Sequence, residues 1–149
     1  MRGLALAIAL SGCGYRLVHP DAPVPALDTI TDTSTEGQLG LRATARLRRH
    51  FAGHPPGSTR ISGRVEVGPD LPTAYADEGR SAAYRAVVTL VLEESTDGPP
   101  TWRSHTTAAA TWVRGPDPLA TTTARQLALA DATEAAVDAA WHRYLAKAP

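Results

Sequence analysis

Residues 84–93 read Tyr84-Arg85-Ala86-Val87-Val88-Thr89-Leu90-Val91-Leu92-Glu93, and residues 97–100 read Asp97-Gly98-Pro99-Pro100. In the first run Tyr84, Ala86, Val88, Leu90 and Leu92 share one face, while Arg85, Val87, Thr89, Val91 and Glu93 share the other. That is the two-residue period of a β-strand. The second run reverses the chain, because Asp-Gly suits a tight turn and Pro-Pro cannot continue a ladder. Thr101 to Val113 then alternates again, with Trp102, Ala108, Ala110 and Trp112 on one side and Arg103, His105, Thr107, Ala109 and Thr111 on the other. Residues 84–113 are therefore expected to form an antiparallel hairpin.

Beyond the hairpin, Gly115-Pro116-Asp117-Pro118 ends the strand and opens a helix expected over Leu119–Ala146. It is alanine-rich, with Leu127, Ala130, Val137, Trp141 and Tyr144 recurring near the helical period. Before the hairpin, Arg60–Val67 alternates as a half-buried strand with Ile61, Val65 and Val67 inward. Gly68-Pro69-Asp70 and Pro72 loosen the chain into a linker through Tyr75 to Arg80. A helix is expected over Glu36–Phe51, with Leu39, Leu47 and Phe51 inward and Arg42, Arg46 and Arg49 on a solvated face, and Gly53 and Pro55-Pro56 stop it. Val24–Ile30 supplies a first strand. The order strand, helix, three strands, helix predicts an α+β fold: two helices packed on one face of a mostly antiparallel four-stranded sheet, a two-layer sandwich.

The chain has 149 residues, 43% of them hydrophobic and 20% charged, which fits one globular domain. Its 15 Lys+Arg balance 15 Asp+Glu. A neutral chain lacks the basic surplus that displaces counterions from phosphates, so no nucleic-acid partner is expected. One cysteine, Cys13, excludes an intramolecular disulfide and a thiolate metal cluster.

That cysteine sits in an informative place. Met1-Arg2 precedes the short apolar run Gly3–Leu10, and Leu10-Ser11-Gly12-Cys13 follows. A cation, a short apolar stretch and small residues make up a secretory signal peptide. The run falls far short of the roughly 20 residues that span a bilayer. Leu10, Ser11 and Gly12 before Cys13 look like a bacterial lipobox, after which the chain is cut and the new terminal thiol acylated. Small side chains admit the peptidase, and only a thiol accepts the lipid. An incidental cysteine behind an ordinary signal peptide is the plainer alternative. The expected organisation is a signal peptide over 1–12, a lipidated tether over 13–23 and one α+β domain over 24–147.

Few residues suggest chemistry. His50 and His54 stand at zinc-ligand spacing on a helix, but Gly53 interrupts it and no third ligand follows, so helix-end histidines are the plainer reading. His105 lies among threonines with no acid or nucleophile placed beside it by sequence, and reads as a solvent-facing strand residue. Arg42, Arg46, Arg48 and Arg49 read as a solvated face rather than an anion site. Trp102 and Trp112 read as packing. No enzyme activity, metal or cofactor is expected.

Leu10-Ser11-Gly12-Cys13-Gly14-Tyr15-Arg16-Leu17 resembles the start of the LPS-assembly lipoproteins (the LptE family). Tyr75-Ala76-Asp77-Glu78-Gly79-Arg80-Ser81-Ala82-Ala83-Tyr84-Arg85 is similar to that family's most recognisable internal segment, and Trp102 and the alanine-rich last helix fall where the family has them. The resemblance implies an outer-membrane lipoprotein facing the periplasm, anchored by fatty acyl groups such as palmitate on Cys13. Gly14 in place of an aspartate fits sorting to the outer membrane. It implies as partner a large outer-membrane β-barrel, in which the domain sits as a plug and assists lipopolysaccharide assembly. For contact with lipopolysaccharide itself, the resemblance leaves Arg80, Arg85 and Arg114. The rival expectations are a generic lipid-anchored periplasmic binding or assembly module, and a lipid-anchored hydrolase using His105 or the His50/His54 pair.

Overall fold

The computed structural model describes residues 23–33, 38–75 and 81–147. The signal peptide, the lipobox, Cys13, nearly all of the tether, the first residues of the expected α1, and Arg80 lie outside these residues.

The elements run β1 (Val24–Asp32), α1 (Leu39–Phe51), β2 (Pro56–Val67), β3 (Leu71–Tyr75), β4 (Ser81–Ser95), β5 (Trp102–Val113) and α2 (Pro118–Leu145). The predicted hairpin is β4 and β5, paired antiparallel from Ala83↔Val113 to Glu94↔Trp102 without a register shift. On its other side β4 is shared. Its later half pairs antiparallel with β2 (Arg60↔Ser95 to Val67↔Val88), and its first residues pair with β3.

Two features depart from the expected four-stranded, mostly antiparallel sheet. The sheet has five strands, and it is mixed, because β1 and β2 run parallel. The parallel pair follows from α1, which carries the chain back to the starting end before β2 begins, as any helical crossover does. The extra strand is β3, which lies in the expected linker. Pro72 suggested a break there, but a proline is tolerated where a strand pairs on one side only.

Both helices lie on one face, as the two-layer reading requires. The core joins Leu39, Ala43 and Leu47 of α1 with Ile61 and Val65 of β2. It continues through Val88, Leu90 and Leu92 of β4 to Leu129, Ala136 and Val137 of α2. Leu127, expected inward, is 62% exposed, and Leu129 is buried in its place. Alanines at 128, 132, 136 and 140 take the sheet side of α2, so the burial phase is set by small residues that the pattern of large ones did not report.

The helix starts are anchored differently. Asp117 accepts a hydrogen bond from the Ala120 N–H at 2.8 Å with Pro118 following, a local cap. At α1 the cap comes from β1: Asp32 Oδ2 accepts from the Leu39 N–H at 2.8 Å and the Gly40 N–H at 3.4 Å. Gly40 is required there, since a Cβ would come within 2.7 Å of the Ile30 carbonyl oxygen.

Candidate interaction surface

With both helices on one face, the other face of the sheet is left uncovered by any described element. Its rows follow from the register: Arg85 beside Thr111, Val87 beside Ala109, Thr89 beside Thr107, Val91 beside His105, and Glu93 beside Arg103. The Thr89 and Thr107 hydroxyls hydrogen-bond at 3.0 Å. Arg103 pairs with Glu93 at 2.8 Å, and Arg64 pairs with Glu66. The centre of the face is thus made of small, mostly uncharged side chains, with Val91 buried among its neighbours, a shallow hollow beside it lined by Thr29, Thr31, Ser62 and Glu93, and matched charges at its rim.

Of the basic residues considered for lipopolysaccharide contact, Arg80 lies outside the described residues, and Arg85 and Arg114 are not gathered into a site. Arg85 projects from the uncovered face. Arg114 lies over the Tyr84 ring at 5.7 Å, and Tyr84 stacks on Trp112 at 4.7 Å on the helix side. The two arginines share one end of the sheet but belong to opposite faces.

His50 and His54 meet at Trp141. His50 hydrogen-bonds Asp138 at 2.8 Å and stacks on Trp141 at 5.5 Å, and the His54 ring meets the same tryptophan edge-on at 6.5 Å. His105 is exposed on the uncovered face, as its strand parity predicted. Trp102 meets Tyr144 edge-on at 5.2 Å, so both hairpin tryptophans pack rather than stand free.

The arginines of α1 correct the expectation of a simply solvated face. Arg46 holds Asp138 by two bonds, Nε to Oδ1 at 2.8 Å and a terminal nitrogen to Oδ2 at 2.6 Å, and it reaches Glu134 at 3.4 Å. Arg42 also reaches Glu134 at 3.4 Å. The Arg46 hydrogen bond, helped by His50, depresses the Asp138 carboxyl to about 2 against its burial. These groups seam the two helices together over Trp141.

A second polar cluster was missed by sequence reasoning. Glu94, at the end of β4, is 3% exposed. Its Oε1 accepts from the Thr59 hydroxyl at 2.8 Å and the Tyr144 hydroxyl at 3.2 Å, and its Oε2 accepts from Lys147. Lys147 also lies over the Trp102 and Tyr144 rings. Burial pushes the Glu94 carboxyl up, and the bonds from Lys147, Thr59 and Tyr144 outweigh it, so the group stays below its ordinary value. Burial and the Glu94 charge raise the Tyr144 hydroxyl. The cluster ties the end of α2 to β2 and β4. Carried one residue past the expected strand end at Glu93, the alternation puts Glu94 on the buried face, and a carboxylate there is the signal that could have found the cluster.

A shallow cleft of about 250 Å³ lies between α1 and α2, lined by Gln38, Arg42, Thr123, Gln126 and Leu127 among others. Among the described residues there is no cluster of metal-binding side chains. No described helix is long and apolar enough to cross a membrane.

No family model matches the chain, and no curated protein matches it in sequence. Solved structures do match its fold. Rare lipoprotein B from Shewanella oneidensis superimposes with a TM-score of 0.58 over 81% of this chain and 94% of that one, at 12% identity. A candidate lipoprotein from Caulobacter crescentus CB15 superimposes with a TM-score of 0.57 over 80% of this chain and 92% of that one, at 15% identity. The two-layer α+β fold is therefore one that these solved structures share.

Proposed function

We infer that this chain is a lipid-anchored outer-membrane protein of the LPS-assembly lipoprotein type. In this reading it plugs and scaffolds the β-barrel that inserts lipopolysaccharide, and it makes no covalent chemistry of its own. The observation that carries the reading is the pairing of Leu10-Ser11-Gly12-Cys13 with a domain folded like rare lipoprotein B.

Physically, the tether and the sheet divide the work. Acyl chains on Cys13 contribute about 0.8 kcal/mol per buried CH₂, and more than one chain makes the attachment stable. Residues 13–23 extend at most ~3.5 Å each, so the domain stays within roughly 40 Å of the bilayer. Val24 pairs with Pro56 at the end of the sheet that also carries the β4–β5 turn, so the tether joins the domain at that end. Tethering on one membrane raises the effective concentration of the pair. The uncovered sheet face then packs against the lumen wall.

The test is what co-purifies with the tagged chain from detergent-solubilised outer membrane. A large β-barrel protein is expected, together with loss of surface lipopolysaccharide when the gene is deleted. A deletion strain with normal barrel assembly and normal surface lipopolysaccharide overturns the reading. One observation favours a second reading, a generic lipid-anchored assembly module: the fit to the Caulobacter lipoprotein, whose name carries no such role, is as good. Recovery of a periplasmic or cell-wall partner without a barrel decides for it.

A further inference from the structure

Glu94 is the one buried carboxylate among the described residues, and it stands opposite Trp102 at the last pair of the β4–β5 ladder. Its two oxygens are used unequally. Oε1 accepts from the Thr59 hydroxyl at 2.8 Å and the Tyr144 hydroxyl at 3.2 Å, which leaves Oε2 for the cation. A guanidinium grips a carboxylate best as a fork across both oxygens, whereas an ammonium needs only one. Two rings complete the enclosure. The Lys147 Nζ lies 5.9 Å from the centroid of Trp102 and 5.4 Å from that of Tyr144, within cation–π range. The ring planes cross at 85°, so they wall the cation on two sides.

Composition points the same way. Of the 15 basic residues in the chain, Lys147 is the only lysine. The other ion pairs among the described residues are made by arginines or by His50. The chain thus reserves its compact ammonium for the acceptor that has a single oxygen to offer. That occupant can leave without unfolding the domain. Lys147 follows Leu145, the last residue of α2, where helices fray. Its side chain is 35% exposed against 4% for Glu94, so the enclosure opens to solvent on the cation's side. Once Lys147 swings out, Glu94 cannot stay ionised and unpaired in its buried position, and a second cation of the same kind is drawn in.

We propose that Glu94, Thr59, Tyr144 and Trp102 form a binding site for a primary ammonium group, which Lys147 fills in cis and yields to a ligand amine. The ligand class is a primary alkylamine, free in solution or as the ethanolamine headgroup of a phospholipid. A quaternary ammonium is rejected because it lacks the N–H that Oε2 accepts. A guanidinium is rejected because its fork finds one oxygen instead of two. The inference stands apart from the functional reading above.

The test uses the full chain extracted in detergent and isotope-labelled at lysine, so that nuclear magnetic resonance shows one ε-methylene signal. The Trp102 and Tyr144 rings are expected to hold that signal upfield of free lysine. Ethylammonium at roughly tens of millimolar is expected to move it to the free position, since a tethered group competes at about millimolar effective concentration. Tetramethylammonium at the same concentration is expected to leave it in place. Lys147→Met is expected to lower the melting temperature, and ethylammonium to restore roughly half or more of the loss. Glu94→Gln combined with Lys147→Met is expected to abolish that rescue. If the double variant fails to fold, the comparison with tetramethylammonium decides. Displacement of Lys147 by lysophosphatidylethanolamine micelles, but not by lysophosphatidylcholine, assigns the amine to a lipid headgroup; displacement by ethylammonium alone assigns it to a free amine. A Lys147 signal already at the free position, no displacement by ethylammonium, or equal displacement by tetramethylammonium overturns the proposal. So does rescue that persists in the folded double variant.

Discussion

Arg46 grips Asp138 with two hydrogen bonds, at 2.8 and 2.6 Å, joining the middle of α1 to the last turns of α2. The two side chains are 29% and 34% exposed, so solvent screens the pair, but its two-point geometry makes it stronger than an ordinary surface contact. It also fixes how the helices lie on the sheet, since Glu134 and His50 join the same seam.

Asp138→Asn is expected to lower stability at neutral pH by about 1 kcal/mol, after discounting for exposure. The pH dependence has a definite sign. The folded carboxyl titrates at about 2, below its ordinary 3.8, so the native state binds fewer protons than the unfolded one. The contribution is complete above pH ~4 and is lost as pH falls toward ~2. Urea midpoints measured between pH 6 and 2 are expected to fall less steeply for Asp138→Asn than for the wild type. Equal slopes remove the seam from the account.

Glu94→Ala leaves the Thr59 and Tyr144 hydroxyls and the Lys147 ammonium without their shared acceptor. Lys147 is 35% exposed and can rehydrate, so the expected cost is about 2–3 kcal/mol rather than the larger figure for a sealed ion pair. Glu94→Gln keeps an acceptor and is expected to cost less. Chemical denaturation of both variants checks the order. Glu94 is also held below its ordinary value, so it strengthens the same acid-side loss of stability.

Gly63→Ala and Gly98→Ala form a matched pair. A Cβ at 63 would stand 2.3 Å from the Val91 carbonyl oxygen and 2.8 Å from Leu92, inside the β2–β4 ladder. Backbone there cannot move without breaking the pairing, so roughly 2–3 kcal/mol is expected to be lost. At 98, in the turn, nothing lies within 4 Å, and the change is expected to stay within about 0.5 kcal/mol. Thermal unfolding separates the two.

On the proposed reading the Cys13 thiol accepts the lipid, so Cys13→Ser is expected to move the protein from the membrane to the soluble fraction. Thr89→Glu places a charge at the centre of the uncovered face, opposite Thr107. It is expected to reduce recovery of the barrel partner at least fivefold while the melting temperature changes by a few degrees at most. Undiminished recovery shows that the partner uses another surface.

Much of this architecture could be read in advance, and the reason is local. The β4–β5 hairpin, the split of its side chains between two faces and the start of α2 after Gly115-Pro116-Asp117-Pro118 depend on residues close together in the chain, and alternation or spacing reports them. β3 was missed because Pro69 and Pro72 read as a break, whereas its pairing is decided by a free stretch of β4 that only the folded sheet offers. Leu127 was placed inward because large residues were counted, while the phase of α2 is set by its alanines.

The candidate surface divides in the same way. The composition of the uncovered face was legible from the parity of β4 and β5. The partners of Arg46, Glu94 and His105 were not, because Asp138, Lys147 and Arg143 meet them from 92, 53 and 38 residues away. From the residue order alone came the β4–β5 hairpin, both helices and the side of the sheet the hairpin side chains take, since these obey short-range stereochemistry. Tertiary structure alone decided the parallel β1–β2 pair, the charged seam between the helices and the buried carboxylate. Each of those depends on distances between elements, and closure of the core sets such distances with no period in the chain to announce them.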